Sequence, residues 1–133
     1  MTRPDLSRGS VVSSTIRGRT ITDEASPVGV TRHAIAANGQ VEVRTVRRRI
    51  CSPEWTAAVA HRATHEANAR AVVTALSSTA TGACPELVEE NAAIVWWEHH
   101  HRKVSLEQAR TSVHEARVCG AAARFLQSLK RTR

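Results

Sequence analysis

Tyrosine is absent from this chain, phenylalanine occurs once and tryptophan three times, so aromatics make up 3% of its 133 residues. A core built without large side chains must be filled by Ala and Val, which bury little area each at roughly 25 cal/mol per Å² of apolar surface. Modest stability and a partner that completes the core are therefore expected. The same scarcity speaks against reading single-stranded nucleic acid by base stacking, which needs aromatic platforms. Lysine is nearly absent too, with only Lys103 and Lys130. The three cysteines, Cys51, Cys84 and Cys119, form no C-x-x-C pair. Neither a disulfide framework nor a zinc ribbon follows from them, and a reducing, intracellular setting is the simpler expectation. The longest apolar run, Ala92–Trp97, is too short to span a bilayer. There is no Gly-rich phosphate loop and no G-x-S-x-G elbow.

Arginine is what the chain has in quantity. The net charge is +7 with His neutral, and it is unevenly placed. Residues 1–50 hold nine arginines against four acids, residues 51–104 hold four basic and six acidic residues, and residues 105–133 hold six basic and two acidic. Two basic ends flank a mildly acidic middle, a distribution suited to touching a polyanion at both ends. The planar fork of Arg also matches phosphate oxygens better than a point charge does.

The pattern along the chain indicates a mainly α fold of the α+β class. It comprises a basic N-terminal arm (1–27), a short β-hairpin (28–50) and a helical domain (51–133) of about three helices in a small bundle. The arm carries Arg3, Arg8, Arg17 and Arg19 among many Ser and Thr. Residues 1–19 read as a segment without regular structure, and their composition is also that of an organelle transit peptide. Asn38-Gly39 accepts the two positive φ angles of a type I′ turn, and Val41-Glu42-Val43-Arg44-Thr45-Val46 alternates after it. Arg44 should then face solvent, away from Val43. Ser52-Pro53-Glu54 opens a helix running to about Leu76, with Trp55, Val59, Ala69, Val73 and Leu76 near one stripe. A second helix starts at Pro85-Glu86, with Leu87, Val88, Ile94 and Val95 toward the core. Ser105-Leu106-Glu107-Gln108 fits a capping box and starts a third helix that runs to about Lys130. Its apolar stripe changes side. Leu106, Ala109, Val113, Ala116 and Gly120 share one face, whereas Val118, Ala122, Phe125 and Leu129 lie nearly opposite. That switch indicates either a bend at Gly120 or last turns packed against a different neighbour, and the second is expected, since a lone Gly weakens a helix by only about 1 kcal/mol.

Four chemistries deserve comparison. His61 and His65, four apart on one expected helical face, are weak candidate metal ligands, because a site needs two more ligands and only scattered ones exist. His99, His100 and His101 are consecutive and point about 100° apart on a helix. Glu98-x-x-His101 is half of a carboxylate-bridged di-iron pattern whose second copy is missing. Cys119 follows His114 by five residues, which turns the two away from each other. None of these makes an active site, and no cofactor is expected. The basic clusters are the stronger signal. Arg44, Arg47, Arg48 and Arg49 at the hairpin exit, and Arg124, Lys130, Arg131 and Arg133 at the C-terminus, are candidate phosphate contacts. Solvation and helix-dipole compensation are the plainer alternatives for them. Trp96, turned away from the expected core face, joins Val118, Ala122, Phe125 and Leu129 as a candidate protein contact.

The sequence thus points to a non-enzymatic basic subunit of a larger assembly. Its expected partners are nucleic acid, RNA in the first instance through backbone contacts, and a protein or a further copy of itself, without a membrane. A purely protein-binding subunit of an organellar or filamentous complex is the alternative. A metal-binding enzyme using the histidines is the second.

Overall fold

The computed structural model describes residues 9–16, 20–22 and 24–131. It is an α+β structure with an antiparallel sheet followed by five helices. The chain divides into two compact units, Met1–Ser52 and Pro53–Arg133.

In the first unit the Asn38-Gly39 turn sets the geometry. Asn38 has φ 52° and Gly39 φ 75°, as a type I′ turn requires. It joins β3 (Val30–Ala37) to β4 (Gln40–Arg47), paired from Ala37↔Gln40 to Val30↔Arg47. Two further strands precede them, β1 (Gly9–Ile16) and β2 (Thr20–Thr22), giving the order β2-β1-β3-β4. Regular structure therefore reaches into the segment expected to be an irregular arm. The reason is visible in the inner face of the sheet, where short hydroxyl side chains replace apolar ones. Ser14 donates to the Glu24 carbonyl at 2.7 Å and meets Thr31 Oγ1 at 2.8 Å, and Thr31 donates to the Ser26 carbonyl at 3.2 Å. Ala25, Ser26 and Val28 are each at most 1% exposed and cover this cluster. A strand anchored by buried hydroxyls carries no hydrophobic alternation for sequence reading to detect.

The helical unit contains α1 (Pro53–Val59), α2 (His65–Ala75), α3 (Ala83–His99), α4 (Leu106–Val118) and α5 (Ala121–Arg131). Two of the three expected helices are divided. The first breaks between Val59 and His65, where the Arg62 guanidinium donates to the Ala58 and Ala60 carbonyls and closes α1. Thr64 Oγ1 then accepts from Ala67 N–H at 3.1 Å, and Asn68 folds back onto Arg62 and Thr64. The last helix breaks at Gly120, whose φ of 86° lies in the left-handed region. The expectation of one continuous helix there gives way to a true break. The capping box at Ser105 is present in full, with Gln108 N–H donating to Ser105 Oγ at 3.1 Å and Ser105 N–H to Gln108 Oε1 at 2.9 Å.

α3 is the hub, packed by α1, α2 and α4, while α5 makes its main contacts with α4. The core joins Trp55, Ala75, Ala93, Ile94, Trp97 and Ala109. Both buried indole N–H groups are satisfied, Trp55 by Glu86 Oε2 at 3.2 Å and Trp97 by the Val104 carbonyl at 2.9 Å. The buried faces differ from those expected. On α3 the inward row is Pro85, Glu90, Ala93, Ile94 and Trp97, and Val95 is 69% exposed. On α2, Ala75 is buried while Val73 is 48% exposed. On α4, Arg117 is buried and Ala116 exposed. Ala75, Ala93 and Ala109 sit inside beside the two tryptophans, and the buried charged residues Glu90 and Arg117 have partners.

Candidate functional site

Those partners explain how charge is sorted in the helical unit. Glu90, 8% exposed, receives Arg110 from α4 through Nη2 at 2.9 Å and Nε at 3.1 Å. Arg110 also reaches Glu107 at 3.1 Å. Burial alone would lower the Arg110 pKa, but the hydrogen bonds and charges of Glu90 and Glu107 outweigh it and raise the pKa. Glu89 takes Arg117 Nε and lies 3.1 Å from His114 Nδ1. Arg117, 7% exposed, sends Nη1 to the carbonyls of Ser77 at 2.7 Å and Ala80 at 3.0 Å. It thereby ties the loop after α2 to α3 and α4. Glu98 holds Arg102 at 2.7 Å, and that guanidinium lies 5.3 Å from the Trp97 ring centroid. Three of the six acids in the middle of the sequence, Glu89, Glu90 and Glu98, are thus matched by Arg117, Arg110 and Arg102. Sequence reading missed this network. The seven-residue spacing of Arg110 and Arg117 does not reveal it, since Arg124 continues the same spacing and is exposed.

α5 carries the opposite condition. No acid occurs in the sequence after Glu115. Arg124, Lys130 and Arg131 are exposed, and none of them pairs with a carboxylate among the described residues. Arg124 Nη1 donates to the Cys119 carbonyl at 3.0 Å, where it helps close the end of α4. At 100° per residue, Ala122, Phe125, Leu126 and Leu129 line one face of α5, with Arg124 and Arg131 behind them. Phe125 is 63%, Leu129 49% and Val118 43% exposed, and no residue of α5 is buried. Lys130, Leu126 and Leu129 border a groove of about 390 Å³ against Val73 and Ser77 of the α2 end.

In the sheet unit, Arg44 is held by Glu42, Nε to Oε1 at 2.8 Å. The hydrogen bond from Arg44 lowers the Glu42 pKa, and the same bond raises that of Arg44. Arg47 is exposed at the end of β4. Arg48 and Arg49 anchor their backbone to Gly29, Arg48 N–H donating at 2.8 Å and the Arg49 carbonyl accepting at 3.0 Å. Arg133 lies outside the described residues.

The structure separates some candidates that the sequence grouped. Trp96 is half-buried, with its ring centroid 3.8 Å from that of His100, and borders the start of α4 beside Val104 and Gln108. Val118 ends the same helix, so Trp96 is remote from the α5 stripe. His61 lies in the break after α1 and His65 begins α2, so the shared helical face expected of them does not exist. The break reorients them, and His61 Nε2 meets Asn68 Nδ2 at 3.2 Å. Glu98 faces Arg102 instead of completing a ligand pair with His101. His114 turns to Glu89 and away from Cys119, whose thiol donates to the Ala116 carbonyl at 3.4 Å. Among the described residues no three or more His, Cys, Asp or Glu side chains gather as metal ligands. No described helix is long and apolar enough to cross a membrane. Neither a protein-family model nor a curated protein matches the chain.

Proposed function

We propose that the protein is a non-enzymatic basic subunit of a larger assembly, contacting nucleic-acid phosphates through α5 and Arg47–Arg49 and protein through the apolar stripe of α5. One observation carries this reading. The carboxylates packed against α4 are matched by arginines within the helical unit, whereas Arg124, Lys130 and Arg131 have no carboxylate partner among the described residues. Exposed cations without a carboxylate partner can displace counterions from a polyanion. With so few aromatics, backbone contact to duplex RNA is the favoured mode over base stacking. Exposed Phe125 and Leu129 support a protein contact beside it.

Titration of the full chain against a generic RNA duplex over a range of salt tests the reading. Neutralising three to six phosphates predicts a slope of log K against log salt of about −3 to −5. A slope near zero would instead support the purely protein-binding alternative.

A further inference from the structure

Strand β4 ends the sheet order β2-β1-β3-β4 and lies apart in sequence from α5. In a hairpin closed by a two-residue turn, the residues flanking the turn form a hydrogen-bonded pair, and bonded and non-bonded pairs then alternate. With Ala37↔Gln40, Ile35↔Glu42 and His33↔Arg44 in register, the backbone groups of Gln40, Glu42, Arg44 and Val46 face β3. Those of Val41, Val43, Thr45 and Arg47 face away. The parity continues past the strand, where Arg48 N–H donates to the Gly29 carbonyl at 2.8 Å. No described strand lies beyond β4, and all of its residues are exposed. Such an edge is a template for an added strand.

We propose that β4 pairs antiparallel with β4 of a second copy of this chain, about a two-fold axis at Val43. This register sets Val43 opposite Val43 and Val41 opposite Thr45, using the outward backbone groups of both copies. It also sets Glu42 opposite Arg44 of the second copy, and by symmetry Arg44 opposite its Glu42. That pair falls at a non-hydrogen-bonded position, where facing Cα atoms come within about 4.5 Å and side chains interact most closely. The neighbouring registers that keep the outward groups together fail on charge. Centring on Glu42 puts Glu42 against Glu42, and centring on Arg44 puts Arg44 against Arg44. Charges on an edge normally repel added strands; here they favour the register centred on Val43 over its two nearest neighbours. Glu42 and Arg44 already meet at 2.8 Å within one chain, so pairing creates an alternating set of four charges. Arg47 falls opposite Gly39 of the second copy, which keeps the two Arg47–Arg49 triplets at opposite ends of the shared ribbon. On the outer face the paired Val43 residues join Val11 and Val41, now 72% and 69% exposed, into one apolar band across both copies. The isologous contact closes on itself, as a two-fold dimer requires.

Sedimentation equilibrium on the full chain tests the pairing. Wild type is expected to shift with rising concentration from 14.5 kDa toward twice that mass. Glu42→Arg and Arg44→Glu each place like charges opposite one another, and each is expected to weaken dimerisation at least tenfold. Mixing the two variants restores oppositely charged pairs and is expected to return the dimer, as is the double exchange Glu42→Arg/Arg44→Glu. Circular dichroism checks the fold, and the double exchange covers the case in which a single variant unfolds. A wild type monomeric to millimolar concentration would overturn the proposal. So would single variants that dimerise as wild type does, or a mixture that stays monomeric.

Discussion

A guanidinium only 7% exposed must have its donors satisfied by the protein, and Arg117 is satisfied by Glu89 and the carbonyls of Ser77 and Ala80. Breaking a buried pair by removing one partner is costly because the other charge is left behind. Arg117→Met is therefore expected to destabilise the helical unit by about 3 kcal/mol, as it leaves Glu89 with His114 alone and deprives two carbonyls of their donor. Glu89→Gln/Arg117→Met should lose less than the sum of the single losses, since no uncompensated charge remains. Urea unfolding of the set measures both. A loss below about 1 kcal/mol for Arg117→Met would mean the pair is worth no more than a surface bridge. At this scale the sequence was opaque. Arg117 and Arg124 sit on neighbouring helices in similar local composition, and nothing nearby tells which one turns inward. The deciding acid, Glu89, is distant in sequence and is reached only once α3 and α4 are packed.

Elements were legible where the deciding chemistry is local. Asn38-Gly39 fixes a turn because its two residues tolerate the φ values that the hairpin needs. Ser105 and Gln108 fix a helix start because their bonds close within one turn. Elements were missed where the signal is a single side chain in helix-favouring company. Thr64 and Asn68 divide α1 from α2 within an Ala-rich stretch that reads as continuous helix. β1 is pinned by Ser14, whose partners at Glu24 and Thr31 come from elsewhere in the unit. A lone Gly such as Gly120 is tolerable within a helix on sequence grounds, yet its φ of 86° lies between α4 and α5 and divides them. Gly120→Ala forces a side chain into the left-handed region, at a cost of about 1–2 kcal/mol. Its added Cβ would also lie 3.2 Å from Arg124 Nη1, a flexible group that can move aside. Thermal unfolding should register that loss. A variant as stable as wild type would show that α4 and α5 can join into one helix without penalty.

For the whole molecule, what matters is the division of charge between the interior and the surface. In the helical unit Ala75, Ala93 and Ala109 are buried beside Trp55, Ile94 and Trp97 while Phe125 and Leu129 stay exposed, and in the sheet unit Val41 and Val43 of β4 stay exposed. This is the reverse of ordinary economy and fits a chain that meets other surfaces. The α+β class was readable from the hairpin and the helix starts, but the sorting of cations was not, because it depends on which acids face α4.

That sorting is tested most directly by the salt dependence of RNA binding in Arg124→Gln/Lys130→Gln/Arg131→Gln, compared with wild type after circular dichroism shows the helix content intact. The log–log slope is predicted to flatten by about 2 to 3, with the affinity difference shrinking as salt rises. An unchanged slope would contradict it and leave α5 without a part in phosphate contact.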